Sequence, residues 1–152
     1  MRNLGKEELI EYLLNYAFKQ SLSYILVKGE PYDPALSFKN AHKMVINTNW
    51  HNPNELPFII GHEIGHLMLG DSGIAYWPSF SGQNSEEEEA DLFSLKIIYD
   101  YSCKNGDYIQ EPGTFMQNYG IPERMTAATK QLFKDNDDLI ELLRNICYNL
   151  KL

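Results

Sequence analysis

The sequence is poor in the features that mark secreted and membrane proteins. Its 152 residues include only two cysteines, Cys103 and Cys147, which are too few for a disulfide framework. The two could form one disulfide, but we expect free, buried thiols, as is usual in the cytoplasm. The first residues lack a basic segment followed by an uninterrupted apolar stretch, and runs such as PFII and LKII are far too short to cross a bilayer. These shortages predict a cytoplasmic protein with no membrane contact.

Basic residues are also in short supply. There are 13 lysines and arginines against 21 aspartates and glutamates, so the net charge is -8. This charge disfavours direct binding to nucleic acid, although the segment around Gly120 has the spacing of a helix-turn-helix. A protein or peptide partner is electrostatically easier. The hydrophobic fraction of 43% is enough for a globular core.

The hydrophobic periodicity predicts an α+β fold in which helices dominate. Two strands are expected at 22–28 and 43–47, and Phe38 belongs to a third, shorter one. Helices are expected at 6–20, 55–69, 86–101, 114–119, 122–133 and 138–150. The chain 1–152 reads as a single domain. Residues 104–113 are the best boundary within it, which makes 104–152 a candidate helical subdomain.

The sequence His62-Glu63-Ile64-Gly65-His66 carries the strongest chemical signal. On a helix, positions i and i+4 lie on one face, so the two imidazoles can share a zinc ion. Such an ion activates water, and Glu63 is placed to act as the general base. The motif lies within FIIGHEIGHLML, where burying three polar side chains is costly unless a metal pairs them. A metal site is therefore predicted.

A catalytic zinc ion usually has three protein ligands, so one more is needed. Leu69 and Ser72 stand where the glycine and histidine of HExxHxxGxxH would be. The other histidines, His42 and His51, lie upstream. The third ligand is therefore expected to be a carboxylate.

Four consecutive glutamates, Glu86–Glu89, begin the next predicted helix, with Ser85 as its N-cap. Acidic residues favour any first helical turn, so the run can also be read as a solvated helix start. Glu87 lies one turn before Asp91, whose carboxylate can orient a ligand histidine. This pairing selects Glu87 as the ligand and leaves Glu86 or Glu89 as alternatives. Glu88 should point to solvent.

HEIGH, followed about twenty residues later by EEEADLF, resembles the HExxH…ExEA[ND]xF pattern of ImmA/IrrE-like metallopeptidases. These proteins are often encoded by prophages and other mobile elements. KMVIN matches the apolar strand that precedes the motif in the family, and FMQNYGIPERMTAATKQLF resembles its helical tail. The likeness is best over residues 40–100. IIYDYSC departs from it, because an apolar stretch ending in Met-Pro is usual there.

The resemblance implies a thermolysin-like, or gluzincin, core. In such a core a small mixed sheet lies beside an HExxH helix that crosses a second ligand helix, with further helices at the carboxyl end. It implies one Zn²⁺ per chain, with His62, His66 and Glu87 as ligands and Glu63 as the base. Family members are associated with cleavage of a helix-turn-helix repressor, which implies a repressor as the substrate here.

Three other residues are candidates for contact with the substrate or the transition state. His42, His51 and Tyr76 each carry a side chain that can donate a hydrogen bond to an oxyanion. A structural role is the alternative for each, since isolated histidines and loop aromatics often only pack.

Three functions compete. The first is a zinc endopeptidase that cleaves an intracellular protein, with the substrate extended along the edge of KMVIN. The second is a zinc-stabilised regulatory or protein-binding module without turnover. The third is a hydrolase of small substrates. The glutamate of HExxH argues for an enzyme, because a structural zinc ion needs no general base.

Overall fold

The computed structural model describes residues 3–69 and 85–150. Within these ranges the fold is mainly helical α+β, as the periodicity predicts. The strands are β1 (Ser23–Val27), β2 (Leu36–Phe38) and β3 (Lys43–Asn47). The helices are α1 (Asn3–Lys19), α2 (Leu56–Leu69), α3 (Glu86–Lys104), α4 (Pro112–Tyr119) and α5 (Thr126–Asn149). Short 3-10 turns occupy Lys39–Ala41, Pro53–Glu55 and Glu123–Met125.

The three strands form one mixed sheet with β3 at its centre. β1 pairs with β3 in parallel and β2 pairs with it antiparallel. Met44 and Ile46 alternate along β3 and are fully buried, as the two-residue period of a strand requires. The prediction that β3 offers a free edge to a substrate is therefore wrong. β2 is the edge strand on that side of the sheet.

The last helix is longer than the sequence predicts. The sequence predicts two helices, at 122–133 and 138–150, but α5 runs unbroken from Thr126 to Asn149 after a 3-10 turn. The polar stretch 134–138 contains neither glycine nor proline, and polar residues cost a helix less than about 1 kcal/mol each. A hydrogen bond of 2.7 Å from Gln131 to Asp135, one turn apart, supports the helix here.

The prediction for the cysteines is half wrong. Both are free, but both are exposed rather than buried. Cys103 lies in the last turn of α3, and Cys147 lies in the outer part of α5. Neither position faces the core, and a residue type that is usually buried does not by itself place a side chain there.

One cluster of buried side chains connects the helices. Leu9 and Leu13 of α1 join α2 and α3 in this cluster, and Phe115 of α4 and Phe133 of α5 also belong to it. The rings of Phe115 and Phe133 lie 5.5 Å apart, and each contacts Tyr99 of α3. The carboxyl-terminal helices are thus held against the helix pair that carries the motif.

Helices α2 and α3 approach closely because their contact surface is made of small residues. A Cβ atom on Gly61 would lie 2.4 Å from Ser94 Oγ, and one on Gly65 would lie 3.1 Å from the backbone of Ala90. Ser94 also donates a hydrogen bond of 2.7 Å to the Phe58 carbonyl. This close contact brings the first turn of α3 to the histidines of α2.

A second close contact involves Gly120, which ends α4 with a left-handed backbone (φ 66°). A Cβ atom at this position would lie 1.7 Å from the Asn54 carbonyl oxygen, so only glycine fits. The contact holds the Glu123–Met125 turn near the start of α2, which brings Arg124 to the motif.

Among the described helices, none combines the length and the apolar character that crossing a membrane requires.

Candidate metal centre

The two histidines of the motif lie one above the other on α2. His62 Nε2 and His66 Nε2 are 2.9 Å apart, and the rings are nearly perpendicular. Both side chains are largely buried, at 14% and 13% exposure. The i, i+4 spacing therefore directs two ring nitrogens at one point, as the sequence predicts.

Glu87 reaches this point from the first turn of α3. Its two carboxylate oxygens lie 3.1 Å from the Nε2 atoms of His62 and His66. Ser85 caps the helix by accepting a hydrogen bond from the Glu88 amide. These contacts bring His62, His66 and Glu87 together as a group whose ligand atoms lie within 4.8 Å of one another.

The other glutamates of the run are placed differently. Glu86 forms an ion pair of 3.2 Å with Lys39. Glu88 is exposed and Glu89 is half-buried, and neither belongs to the cluster of potential metal ligands among the described residues. Of the four glutamates, Glu87 is thus the one whose carboxylate lies against both histidines, and its role as the third metal ligand stays a prediction.

Asp91, one turn after Glu87, contacts the ring nitrogen of His62 that does not face His66 and Glu87. Its Oδ1 atom lies 2.8 Å from His62 Nδ1. Because an ionised carboxylate only accepts hydrogen bonds, Nδ1 is the donor, and the lone pair of a neutral ring is then at Nε2. Asp91 therefore selects the tautomer that turns a lone pair toward His66 and Glu87.

Arg124 in turn holds Asp91. Its Nε and Nη2 atoms donate to the two carboxylate oxygens at 2.8 and 2.9 Å, a bidentate pair of good geometry. The guanidinium also lies over the Phe58 ring, 5.4 Å from its centre. A chain of contacts thus runs from the turn before α5 to the motif on α2.

These contacts move two pKa values. Burial raises the pKa of Asp91, but the hydrogen bonds from Arg124 and His62 outweigh it and bring the pKa to about 2. Burial lowers the pKa of His62, but the hydrogen bond to Asp91 and the charges of Asp91, Glu63 and Glu87 raise it above 6.5. Asp91 is therefore ionised at all ordinary pH values, and the surroundings of His62 favour a cation.

Glu63 is buried, with 7% exposure, on the turn between the two histidines. Ser37 of β2 donates its hydroxyl to a carboxylate oxygen of Glu63 and lies 3.2 Å from the Glu63 carbonyl oxygen. The glutamate side chain is therefore held between the edge strand and the histidines. A carboxylate in this position can accept a proton from a water molecule in the cleft.

A cleft of about 440 Å³ opens over these residues. One side is formed by the segment 34–37, which includes the start of β2. Glu63, both histidines and Glu87 line its floor, and Arg124 and Trp50 also contribute. The potential metal ligands and the potential base thus face one space.

The structure does not bring His42 and His51, the two other histidines predicted to contact the substrate, to this cleft. His42 is exposed at the end of the 3-10 turn before β3, with φ at 47°. His51 is exposed and stacks on Tyr32, with ring centres 4.4 Å apart. Neither lines the cleft among the described residues. Tyr76 lies outside the described residues.

Sequence reasoning missed two residues of the site, Ser37 and Arg124. Both come from segments distant in sequence from the motif, and nothing in their neighbours marks them as functional. A serine in a three-residue strand and an arginine two residues after a proline are common on any surface. Only the packing of β2 and of the Glu123–Met125 turn brings them to the cleft.

The donor set fits a zinc ion. The three donor atoms converge within the reach of bonds of about 2.0–2.2 Å to one ion. With Nδ1 of His62 bonded to Asp91, a neutral His62 presents a lone pair 3.1 Å from a carboxylate oxygen of Glu87. Two acceptors so close repel each other unless a cation or a proton lies between them. Two imidazoles and one carboxylate are ligands that zinc accepts.

Comparison of the chain with protein-family models, with curated proteins and with solved structures finds no match.

Proposed function

We propose that this protein is a zinc-dependent endopeptidase that hydrolyses a peptide bond in an intracellular protein. The observation that carries the proposal is the meeting of His62, His66 and Glu87 beside a buried Glu63 in one cleft. A purely structural zinc site has no use for a buried carboxylate between its ligands. This favours catalysis over a zinc-stabilised binding module.

When bound, a zinc ion supplies a Lewis acid that polarises a substrate carbonyl and lowers the pKa of water. Glu63 then takes a proton from the attacking water and delivers it to the nitrogen of the leaving amine. Ser37 fixes the Glu63 carboxylate during this transfer. Asp91 and Arg124 keep the His62 ring in place.

The edge strand β2 is the natural place for the substrate backbone. Its segment borders the cleft, and only one side of β2 is paired within the described sheet. An extended peptide can add to such an edge through main-chain hydrogen bonds, which are independent of sequence. The scissile carbonyl then lies over Glu63 and the histidines.

The proposed type of fold and the proposed substrate rest on the resemblance of HEIGH and EEEADLF to ImmA/IrrE-like metallopeptidases. It supports a thermolysin-like arrangement, in which α2 and α3 are the two ligand helices beside the sheet. It also supports a DNA-binding repressor as the substrate, since members of that family are associated with repressor cleavage. The net charge of -8 favours a partner with a basic surface.

The test is hydrolysis of quenched fluorogenic peptides by zinc-loaded protein, comparing Glu63→Gln with the wild type. Glutamine has nearly the same shape but cannot accept the proton, so the rate should fall about 10²–10⁴-fold. Zinc content should stay at one ion per chain. Glu88→Gln makes the same chemical change at an exposed position and should retain full activity.

Two results would count against the proposal. Equal rates for Glu63→Gln and the wild type would exclude Glu63 as the base. Full zinc loading with no hydrolysis by the wild type, of the peptides or of a protein captured by Glu63→Gln, would favour the binding module instead.

A further inference from the structure

Asn47 ends the central strand β3 with a polar residue that is only 4% exposed. Its Nδ2 atom donates hydrogen bonds to the carbonyl oxygens of Glu30 and Asp33, at 2.7 and 2.9 Å. Its Oδ1 atom accepts hydrogen bonds from the backbone amides of Gly29 and Asn49, both at 3.0 Å. An asparagine amide has two N–H groups and two lone pairs, so this side chain is fully used. All four partners are backbone groups, so Asn47 fixes the course of the chain around it.

Three of these bonds hold the segment 29–35, which lies between β1 and β2. None of the described residues 29–35 belongs to a helix or strand, so their backbone groups need partners outside a regular ladder. Besides its contacts with Asn47, the segment accepts a hydrogen bond of 2.9 Å from the Asn49 side chain and one of 2.8 Å from the His51 amide. Asn47 thus supplies more of the described hydrogen bonds between this segment and the rest of the chain than any other residue.

The end of this segment forms part of one wall of the cleft. Pro34 and Ala35 line the cleft just before β2 begins, and Asn47 lines it as well. β2 is held differently, because all three of its residues pair with β3. Strand pairing therefore holds Ser37 beside Glu63, whereas Asn47 holds the part of the wall that precedes β2.

A peptide bound along β2 would also run beside this part of the wall. β2 has three residues and spans about 10 Å, whereas an extended peptide of six residues spans about 20 Å. Such a peptide continues past the end of β2, where Pro34 and Ala35 line the cleft. Both side chains are apolar, so they contribute to binding through packing, which depends on their position.

We propose that Asn47 is a positioning residue for the substrate, a role that rests on the proposed peptidase function. It fixes Pro34 and Ala35 as a preformed wall of the cleft. A wall that is already ordered removes the entropic cost of ordering it when the peptide binds. Ser37, rather than this wall, contacts Glu63, so the wall binds the substrate and the transition state equally. The effect of Asn47 therefore falls on KM and not on kcat.

The test is steady-state hydrolysis of a quenched fluorogenic peptide by zinc-loaded Asn47→Asp and wild type. Aspartate has nearly the same shape and still accepts hydrogen bonds, but its carboxylate would face the carbonyl oxygens of Glu30 and Asp33. These acceptors repel one another, so the segment 29–35 should become loose. KM should rise about 10-fold or more, while kcat changes by less than about threefold. Hydrogen exchange should become faster over 29–35 and stay unchanged over α2 and α3.

Two further variants separate this role from a general loss of stability. Asn145→Asp makes the same chemical change at an exposed position of α5 and should leave KM and kcat unchanged. Asn49→Ala removes the hydrogen bond of 2.9 Å to the Gly29 carbonyl, so KM should rise about two- to fivefold. A destabilised protein has a smaller folded fraction, which lowers the apparent kcat at constant KM. Zinc content should be equal in all variants.

The proposed function and the role of Asn47 fail in different ways. A wild type that cleaves no peptide would overturn the proposed function, and with it the role of Asn47 toward a substrate. A wild type that cleaves, with an unchanged KM or only a lower kcat in Asn47→Asp, would overturn the role of Asn47 alone. Unchanged hydrogen exchange over 29–35 would do the same. If Asn47→Asp does not fold, an unchanged KM in Asn49→Ala overturns that role instead.

Discussion

At the scale of single residues, Glu87 shows how little exposure says about function. Its side chain is 73% exposed, yet both carboxylate oxygens contact histidines. If it is the third ligand, Glu87→Ala leaves only two protein ligands, and zinc affinity should fall by more than the 10–100-fold typical of supporting residues. Glu88→Ala removes the same charge from the same helical turn and should be close to neutral. Competition with a chromophoric chelator measures both. Equal affinity in the two variants would leave the acidic run as an ordinary helix start.

The same scale contains the contact between Arg124 and Asp91. Asp91→Ala should lower zinc affinity about 10–100-fold, because it releases the His62 ring and its tautomer. Arg124→Gln should have a smaller effect in the same direction, since it loosens Asp91 without removing it. Lys96→Gln, which breaks an ion pair on the surface of α3, is the control and should change nothing. In cobalt-loaded protein, the visible spectrum should shift for Asp91→Ala and Arg124→Gln but not for Lys96→Gln. An Arg124→Gln protein with unchanged affinity and spectrum would make its contact purely structural.

At the scale of elements, the spacing between α2 and α3 decides whether the ligands meet. Gly65→Ala would press a methyl group against the backbone of Ala90, which belongs to a helix and cannot easily yield. Overpacking of this kind costs about 1–3 kcal/mol, and the gain in helix propensity of up to about 1 kcal/mol offsets only part of it. We expect a lower free energy of unfolding and weaker zinc binding. Gly113→Ala is the control, because no atom of the described residues lies within 4 Å of its added Cβ on α4. It should stabilise the protein slightly in urea denaturation.

At the scale of the whole molecule, zinc binding should compete with protonation of the ligand histidines. Zinc at 100 times its dissociation constant adds about 2.7 kcal/mol to the free energy of unfolding. For a chain of this size, that raises Tm by roughly 5–10 °C. A protonated imidazole cannot bind zinc, and the pKa of His62 lies above 6.5, so this gain should shrink as the pH falls below neutrality. Asp91, with a pKa of about 2, stays ionised throughout. Without zinc, stability changes with pH in the opposite direction. The raised pKa of His62 stabilises the fold at acidic pH, and this contribution is lost as the pH rises through that pKa.

Calorimetry at pH 5.5 and 7.5, with and without zinc, measures these effects. Glu87→Ala should show almost no zinc-dependent shift in Tm at either pH. A zinc-dependent shift of the same size at both pH values would exclude His62 as a ligand that competes for protons.

The sequence by itself determined the local features of this protein. The helical period placed His62 and His66 on one face, because that relation depends only on residues four apart. The register of Glu87 and Asp91 followed from the same period, and the alternation of apolar residues marked β3. The long α5 was missed because a polar stretch resembles a loop when its neighbours in space are unknown.

Only the tertiary structure decided which distant segments meet at the site. Ser37 reaches Glu63 because β2 packs beside α2, and Arg124 reaches Asp91 because Gly120 allows its turn to approach Asn54. The strand order made β2 the edge and β3 the centre, although β3 has the stronger strand pattern. It also kept His42 and His51 away from the cleft. These contacts join residues far apart along the chain, so they depend on the packing of whole elements and leave no periodic signal in the sequence.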